Sequence, residues 1–184
     1  MDARTATPAP TGPAAAATAT EEARARAVVY DFIANFLATP VPAAGDGYVR
    51  ALAGSVADLA SAPGADGSRA AGALAAAVRS VEEDAAEAQR LLAVERTRYV
   101  RGLREGSSVK PPFESLRLTS NDALDDIAGV AGAYRAAGFA MDARACQNRP
   151  DSLEAECRFM AQLCREQADA ADGGDPARAA ELVA

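Results

Sequence analysis

PDSLEAECRFMAQLCREQADAA, residues 150 to 171, reads as one uninterrupted amphipathic helix. Leu153, Cys157, Met160 and Cys164 recur in steps of three and four, and Phe159 and Leu163 widen the stripe. Asp151 is the expected N-cap, with Glu154 three residues on to complete a capping box. A Gly-Gly-Asp-Pro break ends the pattern, and PARAAELVA opens a further helix.

The same period extends backwards through the chain. EEARARAVVYDFIANFLATP places Ala25, Val28, Val29, Phe32, Ile33, Phe36 and Leu37 at helical spacing, and Pro40 and Pro42 stop it. Its acidic opening suits the positive end of a helix dipole. GDGYVRALAGSVADLASAPG predicts a weaker helix with Tyr48, Leu52, Val56 and Leu59 on one face, and a turn at Gly64 and Gly67. A longer helical region runs from about Ser68 to Arg104, with a break expected near Ser80. Its stripe is Val81, Ala85, Ala88, Leu92, Glu95, Tyr99 and Leu103, which puts a carboxylate where an apolar residue belongs. Glu95 either pairs with an arginine such as Arg98 or Arg117, or faces a site. The next helix, from Thr119 or Ser120 to about Ala137, carries Leu124, Ile127, Ala131 and Tyr134 inward. Gly138 is placed as its C-terminal cap.

Strand alternation and fixed repeats are both missing from the sequence. The expected fold is therefore all-α, a single-domain bundle of about six or more helices over residues 21–184. Residues 1–20, MDARTATPAPTGPAAAATAT, lack Leu, Val, Ile and Phe, and read as a disordered tail rather than a signal peptide.

Composition narrows the function. There are 19 basic and 26 acidic side chains, a net charge of -7, and no histidine. That balance argues against nucleic-acid binding, which gathers positive charge, and suits a partner with basic segments. Arg96, Arg98, Arg101 and Arg104 point in several directions around one helix and read as solvated. Cys146, Cys157 and Cys164 form no CxxC pair, and with no histidine they make no zinc site. Small buried apolar roles suit them, and an odd count without a secretory signal suits a reducing cytoplasm. No run of about 18 apolar residues predicts a membrane span. Nucleophilic triads lack their usual base, and GADG and DGGD lack the context of a phosphate loop. Neither enzymatic activity nor a cofactor is expected.

One stretch breaks the helical pattern. KPPFESLRL, residues 110 to 118, puts two prolines before an aromatic, a carboxylate and a hydroxyl. A Pro-Pro pair cannot sit inside a helix, so this is a stiff loop. Glu114 and Ser115 either cap the following helix or face a partner.

The loop and the 150–171 helix together resemble the TorD/DmsD/NarJ family of cytoplasmic chaperones for molybdoenzymes. The resemblance rests on Tyr99, Leu103, Gly106, Pro111, Pro112, Glu114 and Ser115. A second motif supplies Pro150, Asp151, Ser152, Leu153, Glu156, Phe159 and Met160. Ser152 stands where the family has histidine, and Arg104 where it usually has an aromatic. Members continue for one or two helices beyond the segment that ends this sequence. The resemblance runs from about Glu21 to the end and implies a TorD-like helical fold.

It also implies a function. The chain would bind the twin-arginine leader, and parts of the body, of a molybdopterin-dependent oxidoreductase subunit, and hold it until cofactor insertion is complete. The residues expected at the peptide site are Glu95, Tyr99, Pro112, Phe113, Glu114, Ser115, Asp151 and Ser152. Expected partners are that subunit and its leader, without nucleic acid or stable membrane insertion, the chaperone itself being a monomer or a domain-swapped dimer. The competing expectation is a non-enzymatic adaptor that binds a different partner helix or peptide.

Overall fold

The computed structural model describes residues 13–60, 69–101, 110–116, 123–141 and 149–182. Among these the fold is all-α, as expected: α1 Pro13–Ala38, α2 Gly47–Ala60, α3 Arg69–Glu83, α4 Ala85–Arg101, α5 Ala123–Ala136, α6 Leu153–Asp172 and α7 Pro176–Glu181. Between α4 and α5 the described residues include a 3-10 turn, Glu114–Leu116. The helical architecture is consistent with the TorD-like fold. Leu103, Arg104, Gly106, Arg117 and Cys146, like most of the expected tail, lie outside the described residues.

Helix α1 begins at Pro13 rather than near Glu21. Proline is tolerated in a first turn, and the alanines that follow have the highest helix propensity. Its buried line is also displaced from the expected one. Ala23, Ala27, Ala34 and Leu37 are buried, while Val28 and Val29 are exposed.

The chain forms two compact units. One comprises Met1–Tyr30 and Met160–Ala184. In it α1 and α6 run antiparallel, tied by Arg24 to Asp172 and Arg26 to Gln167. Ala23, Ala27, Ala161, Cys164 and Ala168 are all buried. Such small side chains let helix axes approach closely, which is how an alanine-rich sequence builds a core. After α6, Gly174 takes φ 77°. The N–H of Asp175 returns to the Ala170 carbonyl at 2.9 Å, a Schellman closure. Asp175 then caps α7 by accepting from the Arg178 N–H, with Pro176 as first helical residue.

The other unit, Asp31–Phe159, holds α2 to α5 and the motif segments. Its first core cluster is Val49, Val81 and Ala85, packed by Ala53, Ala88 and Leu92. The break expected near Ser80 falls at Asp84. There the Asp84 carboxylate accepts from the Glu87 N–H at 3.1 Å and starts α4.

Two polar residues of α4 are buried. Gln89 donates to the Ala44 carbonyl at 2.6 Å and accepts from the Val49 N–H at 3.2 Å, so it satisfies an orphan donor at the start of α2. Arg96, expected to be solvated, is buried instead. It donates to the Phe36 carbonyl at 2.8 Å and to that of Leu37. These belong to the last turn of α1, whose carbonyls have no helical partner and whose dipole favours a cation.

The second cluster is aromatic. Tyr134 is buried against Phe139 and Phe159, with ring centroids 5.0 and 4.7 Å away. Gly138, at φ 71°, caps α5 as expected: the Phe139 N–H reaches the Tyr134 carbonyl at 2.8 Å.

Candidate functional site

The two sequence motifs meet. Phe113 and Ser152 form an isolated antiparallel bridge. The Glu114 N–H donates to the Asp151 carbonyl at 2.9 Å, and the Leu153 N–H donates to that of Pro112, also at 2.9 Å. Prolines suit this arrangement, because Pro111 and Pro112 narrow the backbone's freedom and Pro112 needs only to accept. The loop is thus pinned to the entrance of α6. Tyr134 holds that entrance from α5, its hydroxyl donating to the Pro150 carbonyl at 2.8 Å.

Side chains lock the junction. The Ser115 hydroxyl donates to Asp151 Oδ2 at 2.6 Å. Arg149 forks onto the same carboxylate, with Nε to Oδ1 at 2.8 Å and Nη2 to Oδ2 at 2.6 Å. Nη2 also donates to Ser115 Oγ at 2.8 Å. The guanidinium carbon sits 4.4 Å from the centroid of the Phe113 ring, a cation–π contact. Burial alone would push the Asp151 carboxyl up, but the bonds from Arg149 and Ser115 outweigh it and hold it below the ordinary value. The hydrogen bond to Asp151 in turn raises Arg149.

The expected N-cap of α6 is corrected by this geometry. Asp151 turns its carboxylate to the other motif, and Ser152 caps the helix, its hydroxyl accepting from the Ala155 N–H at 3.2 Å. A hydroxyl where the family has histidine therefore has a local structural use.

Pro112, Phe113, Glu114, Ser115, Asp151 and Ser152 are brought together. Asp151 and Ser152 are buried, and Asp151 at 1% exposure is no open carboxylate. Glu114 is exposed at the edge of the junction. Glu95 is not drawn in: it pairs with Arg98 at 2.6 Å on the surface of α4. It also lines an apolar groove of about 330 Å³ between α2, α3 and α4, with Leu52, Val56, Val78 and Leu91. Tyr99, a turn further along α4, is partly exposed.

Two participants escaped sequence reading as site residues. Arg149 precedes the second motif and is not among the residues that carry the resemblance. Glu156 belongs to the second motif but was not among the expected peptide-site residues; its Oε1 is buried without a hydrogen-bond partner among the described residues. Burial, then the charges of Glu114 and Asp151, push its carboxyl above the ordinary range. Cys157 and Cys164 are buried and free, as their small apolar reading expects. Burial and neighbouring Glu156 push the Cys157 thiol up, away from thiolate reactivity. Among the described residues no cluster of His, Cys, Asp or Glu could hold a metal ion, and no helix is long and apolar enough to cross a membrane.

A family model described as nitrate reductase delta subunit matches residues 64–184, which contain both motif segments. Residues 21–63, also included in the resemblance, precede that match. No curated protein and no solved structure matches the chain.

Proposed function

Because the chain belongs to the nitrate reductase delta subunit family, whose members are chaperones of redox enzymes, we propose that it binds the twin-arginine leader of a molybdopterin-dependent oxidoreductase subunit. It holds that subunit in the cytoplasm until cofactor insertion is complete, then releases it.

The observation that carries this reading is the pinning of Pro112–Ser115 to Asp151–Ser152 in one hydrogen-bonded unit. A rigid shelf spares a bound peptide the entropy of ordering its receptor. Glu114 presents an exposed carboxylate on that shelf, ready for a charge-assisted bond from an arginine. Beside it, Glu156 Oε1 is buried and has no hydrogen-bond partner among the described residues. Ser115, Asp151 and Ser152 hold the shelf in place. The apolar groove beside Glu95 offers the kind of surface that the leader's hydrophobic half needs.

The test is Glu114→Gln. It should weaken leader binding by about tenfold, the worth of one charge-assisted bond at a partly solvated site, while the melting temperature stays near wild type. A shifted melting temperature with unchanged affinity would make Glu114 a structural cap and remove the carboxylate from the site.

A further inference from the structure

The junction of the two loops has the chemistry of a guanidinium receptor, and the chain fills it itself. Arg149 makes a parallel fork on Asp151, donates to Ser115 Oγ and lies against the Phe113 ring. All of these contacts favour a planar cation with several donors. A lysine ammonium could bond the carboxylate but could neither fork nor stack. The Ser115 hydroxyl commits its proton to Asp151, leaving its lone pair for the incoming N–H.

Burial of the pair is lopsided. The Asp151 side chain is 1% exposed and that of Arg149 is 35%. The acceptors are built into the protein, while the donor reaches them from the surface. Further carboxylates stand by: Glu114 and Asp151 both act on Glu156, whose Oε1 has no hydrogen-bond partner among the described residues. An incoming guanidinium would re-form the bonds that a departing Arg149 gives up. The exchange therefore asks for little net energy beyond releasing one side chain to water.

We propose that Phe113, Ser115 and Asp151 form a guanidinium-reading site occupied in cis by Arg149, and that a client arginine enters it by displacing Arg149. The displacement rests on the leader-binding reading above; the recognition stands without it.

The experiment uses the full chain and its Arg149→Ala variant, titrated with N-acetyl-arginine amide and, at equal ionic strength, N-acetyl-lysine amide. The Ser115 amide resonance and the melting temperature are followed. The variant should bind the arginine compound saturably, about tenfold or more tighter than the lysine compound, and about tenfold or more tighter than wild type does. A variant that melts early should be selectively raised by the arginine compound. Equal response to both compounds, or no gain over wild type, overturns the proposal. A leader peptide should also shift the Arg149 Nε–H resonance in wild type and bind Arg149→Ala more tightly. A leader that binds without either effect removes the displacement and leaves the leader-binding reading in place. Selective arginine capture with no leader bound by either form supports the site and removes that reading.

Discussion

Asp151 and Glu156 lie five residues apart at the start of one helix, and burial acts on both, yet their energetics have opposite sign. Asp151 is buried with a fork and a hydroxyl, so its charge is satisfied. Its carboxyl is held below the ordinary value of about 4, so its stabilisation is complete above that value and is lost as pH falls through the lowered one. Asp151→Asn leaves a partly exposed Arg149 without its counter-charge, and should cost about 1–2 kcal/mol in a denaturant titration at neutral pH. The gap to wild type should close in acid. Glu156 has a buried oxygen with no partner among the described residues, and its carboxyl is raised. Its ionised form opposes folding, so stability is fullest below the ordinary carboxylate pKa and falls as pH rises through the raised one. Glu156→Gln should raise the melting temperature at neutral pH by roughly 2–4 °C, about 1 kcal/mol, and a fall would show that Glu156 has a stabilising partner.

At the level of elements, helix existence was legible and the inward faces less so. Period, proline stops and Gly138 located α1, α2, α5 and α6 because these signals are local. The choice of buried face was not local. In α1 alanines point in and Val28 and Val29 point out, because close packing of axes rewards small side chains over hydrophobicity. In α4 the expected apolar stripe passes beside Gln89 and Arg96, both buried. Their partners are backbone groups distant in sequence, which no helical period reports. Arg96 secures the end of α1, and Arg96→Met should cost about 2–4 kcal/mol by freeing two carbonyls from a charged donor. Arg96→Lys should recover less than half of that, since one ammonium cannot reproduce the planar fork. Full recovery in urea unfolding would show that charge alone suffices there.

For the molecule as a whole, the sequence announced both motifs through residues that a plain helix would not tolerate, and the structure joins them. What it withheld was the cost of joining: Asp151, expected to cap its helix and face a partner, is spent on Ser115 and Arg149. Glu95 and Tyr99 are set on α4 and make no hydrogen bond to the shelf among the described residues. The acidic balance of the chain suits the proposed basic peptide ligand. Calorimetric titration of the full chain with synthetic leaders from molybdoenzyme subunits, each paired with a control lacking both arginines, measures this claim directly. Micromolar binding to at least one leader is expected, weakened by about a hundredfold when the arginines go, as two charge-assisted bonds require. Equal affinity for leader and control, or no binding by the folded protein, would contradict it.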